Sequence, residues 1–218
     1  MVRLVLFGAT GYAGSRILDE AVRRGHQVTA VARNVDAVPE HENVRAVTGS
    51  LYDAERVHEL TVDADVLISA IRSRPTNDGR SLLDTVPTLV DVARQNKVRI
   101  AVVGGASSLL RAEGGEQVFV QQEPTIPPEF LPEVTLHMEF LDVLRRTPAD
   151  VDWFYLSPPI GFGSHVPGKR LGRYRVGTDV LITDEQGDSS ISGEDYAIAL
   201  LDEIETPRHH NRRFTVGY

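Results

Sequence analysis

Cysteine is absent from the 218-residue chain. That removes disulfides, thiolate zinc sites, iron–sulfur clusters and cysteine nucleophiles together. It also fits a reducing compartment, so a cytoplasmic location is expected. Lysine is scarce: of 23 basic residues only Lys97 and Lys169 are lysines, which excludes mechanisms that need several. No apolar run approaches the roughly 18 residues of a membrane span. Arg3 sits inside the first apolar run with no small-residue cleavage site after it, so neither a membrane segment nor a signal peptide is expected. Positive charge is short as well. Against 31 acidic residues the net charge is −8, whereas nucleic-acid binders usually carry a basic surplus, so nucleic acid is not an expected partner. His209-His210 is the only adjacent histidine pair and has no carboxylate cluster, so no metal site is expected.

What remains is the composition of a folded globular chain, 41% apolar and 25% charged. At this length one domain over residues 1–218 is the default, and burial of roughly 70% of the unfolded surface holds it without metal or disulfide. The first half alternates strand and helix patterns. Val2–Phe7, Gln27–Ala32, Val44–Thr48, Val66–Ala70 and Val98–Val103 read as buried strands. Tyr12–Arg24, Ala54–Leu60 and the longest stretch, Asp78–Gln95, read as helices. Residues 112–132, rich in proline, break the pattern and read as a long loop. Glu133–Arg146 is a helix and Val151–Leu156 a sixth strand. After Ser157-Pro158-Pro159 glycines punctuate the chain. Short strands are expected at Tyr174–Val176, Val180–Thr183 and Arg213–Val216, and Ser192 caps a helix to Ile204. The alternation implies right-handed crossovers. The fold class is α/β: a Rossmann-like doubly wound parallel sheet with helices on both faces and a small C-terminal elaboration over about 159–218.

The sharpest motif is Gly8-Ala9-Thr10-Gly11-Tyr12-Ala13-Gly14, between a strand and a helix. Gly8 permits the tight turn, Gly11 lets backbone amides approach a diphosphate, and Gly14 lets the helix pack against the sheet. Thr10 and Tyr12 belong to the same loop. Arg33 ends the second strand, 19 residues past Gly14. An acid there would hold a ribose 2′-hydroxyl; an arginine suits a 2′-phosphate, so NADP (as NADPH) is favoured over NAD. Asp36 is a weaker alternative for that role. Asp53 is read either as a cofactor contact near the adenine or as a helix cap. Ala70 and Ile71 end the fourth strand where ligands sit in such sheets.

Together these residues resemble the atypical short-chain dehydrogenase/reductases, in particular the NAD(P)H-binding, NmrA-like group named for NADH-flavin reductases. The likeness also takes in Gly104-Gly105-Ala106-Ser107-Ser108, His137 on its helix, Ser157-Pro158-Pro159 and Ile191-Ser192 before Asp195-Tyr196-Ala197. Biliverdin-IXβ reductases, which reduce flavins, are similar. The resemblance implies a nicotinamide cofactor, Ser107 or Ser108 beside the nicotinamide, His137 facing the same pocket, and Pro158 leading into the substrate side.

One departure matters. The wider superfamily uses a Tyr-x-x-x-Lys pair, and none of the six tyrosines here has a lysine four residues on. Carbonyl reduction and sugar epimerisation by that pair are therefore not expected. A flavin (FMN, FAD or riboflavin) or another planar quinoid acceptor needs only to be held face to face with the hydride donor. Ser107, Ser108 and His137 are then the expected catalytic-site residues, with His137 a proton donor near its reference pKa of about 6.5. The alternative is a non-catalytic NADP(H) sensor of the NmrA-like type. A small-molecule substrate is the expected partner, and a homodimer is left open.

Overall fold

The computed structural model describes residues 1–73, 76, 78–166 and 168–218. Short apolar runs pair as strands in one eight-stranded sheet: β1 (Arg3–Phe7), β2 (Gln27–Ala32), β3 (Val44–Thr48), β4 (Val66–Ser69), β5 (Arg99–Val103), β6 (Trp153–Ser157), β7 (Arg175–Gly177) and β8 (Arg212–Gly217). Their order is β3-β2-β1-β4-β5-β6-β8-β7, parallel except for the β7–β8 pair. The order reverses between β1 and β4, which opens a crevice above the carboxyl ends of those strands. The Rossmann-like doubly wound architecture is thus present, and the C-terminal segment extends the sheet through β8 and β7.

Helices α1 (Tyr12–Arg23) and α6 (Gly193–Glu205) cover one face. Their Ile17, Leu18, Ala21, Tyr196 and Leu200 bury against Leu4, Leu6 and Phe154 of the sheet. Helices α2 (Ala54–Thr61), α3 (Val86–Gln95) and α5 (Leu131–Leu144) cover the other, with Val57, Leu89, Val92, Phe140 and Leu144 against Val5, Leu67 and Tyr155. Ser192 caps α6 by accepting from the Asp195 amide at 3.0 Å.

Four expectations change. The helix expected from Asp78 begins only at Val86. Ser81 and Asp84 close a capping box around a 3₁₀ turn, Leu82–Thr85, and Pro87 lacks the amide needed to carry an α-helix back through that turn. The longest α-helix among the described residues is therefore α5, which starts before Glu133 because Pro132 suits a first turn. Residues 112–132 contain a short helix, α4 (Val118–Gln122), and a 3₁₀ turn, Glu123–Thr125. No strand forms at Val180–Thr183; Val180 makes only an isolated bridge to Leu110. The segment spends its backbone groups on Leu110 instead, whose amide donates to the Asp179 carbonyl and whose carbonyl accepts from the Leu181 amide.

Candidate functional site

The glycine turn is built by backbone contact. Gly8 has φ +84°, and a Cβ there would stand 2.5 Å from the Ala70 carbonyl oxygen, so only glycine fits between β1 and β4. A Cβ at Gly14 would stand 2.0 Å from the Gly8 oxygen, which shows how closely α1 meets the loop. Gly11 is less constrained: a Cβ would meet the Gly8 oxygen at 3.3 Å, tight but relieved by a small shift, at ordinary φ −77°. It caps α1 without any side-chain hydrogen bond, and no acid lies in the first turn. The Gly11 amide donates to Gly8 and the Ser15 amide to Gly11. Among the described residues, the amides of Thr10, Tyr12 and Ala13 have no acceptor. A helix start with unused donors and no competing carboxylate favours an anion.

A cleft of about 730 Å³ opens from this turn. Gly8, Thr10, Gly11, Ala70 and Ile71 line it, together with Arg33 and Arg72. Both arginines are exposed, and neither has an ionic partner among the described residues. Among the described residues no carboxylate lines the cleft. Asp36 lies in a turn that Asn34 caps, outside the lining. Asp53 also lies outside it; its carboxylate accepts from the Arg56 amide at 3.1 Å and caps α2, which accounts for it structurally. Ser50, Leu51 and Tyr52 line the cleft instead. The Tyr12 ring packs edge-on against Phe162 at 5.4 Å, with the Arg16 guanidinium 4.0 Å from the Tyr12 ring centroid.

Further along the same sheet edge, Gly104 and Gly105 end β5. A Cβ at Gly104 would enter the Tyr155 ring at 2.0 Å. The Gly105 amide donates to the Tyr155 hydroxyl at 2.9 Å, and a Cβ at Gly105 would touch His137 Cβ at 3.4 Å. The Tyr155 hydroxyl also approaches His137 Nδ1 at 3.4 Å and its carbonyl at 3.3 Å. Gly105, Tyr155 and His137 thus converge, outside the residues that line the cleft. The protonation state of His137 is not the expected one. The protein strips most water from the ring, and this desolvation lowers its pKa to about 4 against a smaller opposing pull from Glu133. His137 is therefore neutral at pH 7 and no reservoir of acid. Burial also raises the Tyr155 hydroxyl well above its usual range, partly offset by the Gly105 amide. Ser107 has no side-chain partner among the described residues, whereas the Ser108 hydroxyl accepts from Arg213 Nη1 at 3.0 Å. Pro158 is buried directly after β6.

A neutral His137 makes a prediction about stability. With the folded pKa near 4 and the reference at 6.5, its contribution is complete above pH 6.5 and lost as pH falls through about 4. Melting curves of His137→Gln should decline less between those limits than those of the wild type. Parallel declines would mean the ring is hydrated.

An NAD(P)H-binding family model matches residues 8–207. The chain belongs to the NAD(P)H-binding family. Within it, the chain is 37% identical over 216 residues to the uncharacterised Bacillus subtilis protein YwnB, covering 99% of this chain and 98% of that one. A crystal structure from Bacteroides thetaiotaomicron, provisionally described as an epimerase, is 38% identical with TM-score 0.85, over 100% of this chain and 98% of that one. Another, from Streptococcus pneumoniae and provisionally described as an NADH-flavin reductase, is 29% identical with TM-score 0.81, over 100% and 99%. The likeness to the atypical, NmrA-like short-chain dehydrogenase/reductases thus stands, and with it binding of a nicotinamide dinucleotide. Among the described residues no helix is long and apolar enough to cross a membrane.

Two residues of this region escaped the sequence reading. Arg72 directly follows Ala70-Ile71, so its position at a strand end was a usable signal. Arg213 lies inside the apolar strand β8, where a charged residue at an inward position is unusual.

Proposed function

We propose that the protein is an NADPH-dependent reductase that transfers hydride to a flavin or another planar quinoid acceptor. The residues present fit the cofactor. The glycine cradle offers unused amides for a diphosphate, and Arg33 and Arg72 offer unpaired guanidiniums for a 2′-phosphate. When bound, the dihydronicotinamide supplies the hydride. The chain's own residues bind and orient: in this reading Ser107 and the Gly105 backbone flank the nicotinamide, and neutral His137 offers a polar edge without a spare proton. The balancing proton then comes from solvent.

The observation that carries this reading is the free Arg33 beside a glycine turn free of acids, in a chain without a tyrosine–lysine pair. Tyr155, at this end of the sheet, is buried against the Gly105 amide and held in its neutral form. Lys97 and Lys169 do not follow any tyrosine at the required spacing. The pair that sugar epimerisation would use is thus missing, and the epimerase description of the Bacteroides relative does not carry over to this chain. The same missing pair favours one second reading, a sensor that binds NADP(H) without turnover.

Mixing the protein with NADPH and riboflavin or FMN, and following absorbance at the nicotinamide band, decides between them. Consumption well above the free-solution rate is expected. Tight NADPH binding with no added consumption would replace the reductase with the sensor.

A further inference from the structure

Arg213 is 5% exposed and lies opposite Tyr155 in the β6–β8 register, so both side chains enter the same face of the sheet. Its guanidinium donates to Asp179 at 2.8 Å through Nε, again through Nη2, and to the Ser108 hydroxyl at 3.0 Å through Nη1. Asp179, half exposed, is shared with Arg145 at 3.5 Å, and Arg145 pairs in turn with Asp142 at 3.2 Å, so two cations and two carboxylates meet here. Both guanidiniums lie near enough to act on the Tyr155 hydroxyl. Ser108 is 7% exposed. Its oxygen is occupied by a cation, yet among the described residues nothing accepts its proton. A hydroxyl pinned in this way is a strengthened donor, and an unpaired buried donor is costly unless a ligand completes it.

We propose that Arg213 positions and polarises the Ser108 hydroxyl as the hydrogen-bond donor to the acceptor as hydride transfer makes it anionic. The inference rests on the reductase reading and narrows the acceptor to conjugated rings with a heteroatom that takes up negative charge. In the step, hydride leaves the dihydronicotinamide, which is oxidised. The acceptor gains the two electrons and one hydrogen, becomes an anion, and is then protonated from solvent. Ser108 touches the acceptor; Arg213 acts through Ser108.

Two measurements test this on Ser108→Ala, Arg213→Met, Arg213→Lys and the Ser108→Ala/Arg213→Met double variant. The first is kcat with NADPH and riboflavin. Each of Ser108→Ala and Arg213→Met should lose roughly ten- to hundredfold, the worth of one hydrogen bond to a charged group, and the double variant no more than either. Arg213→Lys should recover part of the loss. The second is anaerobic calorimetry with NADP⁺ present, comparing oxidised and dithionite-reduced riboflavin. Ser108→Ala should weaken the reduced form about tenfold and the oxidised form less than twofold. Equal weakening of both forms, additive losses in kcat, or lowered melting temperature with unchanged kcat would make Arg213 a purely structural tie and overturn the proposal. If the wild type turns nothing over but still prefers reduced riboflavin through Ser108, the reductase reading falls and the donor assignment stands.

Discussion

Gly11→Val is expected to abolish useful dinucleotide binding while leaving the fold in place. The reason is the contrast among three glycines of one loop. At Gly8 and Gly14 an added Cβ would strike backbone oxygens at 2.5 and 2.0 Å. At Gly11 the nearest atom would be 3.3 Å away and the backbone is extended. The protein itself thus requires glycine at 11 far less than at 8 or 14; a ligand approaching the Thr10, Tyr12 and Ala13 amides would require it. Valine methyl groups would fill that approach. Losing two charge-assisted hydrogen bonds, at about 1.5–3 kcal/mol each, raises the dissociation constant roughly a hundredfold or more. Calorimetry with NADPH measures this, and thermal melts supply the control. Gly14→Ala should lose stability near the upper end of the ~1–3 kcal/mol that overpacking costs, whereas Gly11→Val should melt close to the wild type. Unchanged NADPH affinity in Gly11→Val would show that no diphosphate lies on this turn.

Arg33→Ala is expected to separate the two coenzymes, weakening NADPH by roughly ten- to hundredfold and NADH by less than twofold. A guanidinium–phosphate contact contributes about 1.5–3 kcal/mol, and each 1.4 kcal/mol is tenfold. Arg33 is exposed and uncommitted, so its removal breaks no internal contact and should not disturb folding. Arg72 stands on the same cleft, and adding Arg72→Ala should deepen the NADPH loss further. Because the contact is solvent-facing, NADPH affinity of the wild type should fall with added salt more steeply than NADH affinity. Equal losses for both coenzymes in Arg33→Ala would place the 2′-phosphate elsewhere and leave NADP preference without support.

Much of this architecture was readable from short windows of the chain. The run Val2–Phe7 followed by glycines at 8, 11 and 14 places strand, turn and helix within a dozen residues. Each step there follows from local rules: an apolar run buries, glycine turns, and an uncapped helix start presents amides. The Ser192 cap and the alternating strands were legible for the same reason. Local rules misplaced the start of α3, where the Ser81–Asp84 capping box and Pro87 compete within a single stretch of helix-compatible sequence.

Side-chain partnerships across the sheet were a different matter. Asp53 supported two readings until its bond to the Arg56 amide was seen. His137 looked like an acid because its residue type has a reference pKa near neutrality; the ring's enclosure beside Tyr155 and Gly105 makes it neutral. Ser108 meets Arg213 across 105 residues, through a register set only when β8 docks beside β6. The sequence alone therefore determined the backbone cradle and the family, since both are written in neighbouring residues. The tertiary structure decided which polar groups are charged, paired or left free, because those energies depend on burial and on partners that strand order brings together.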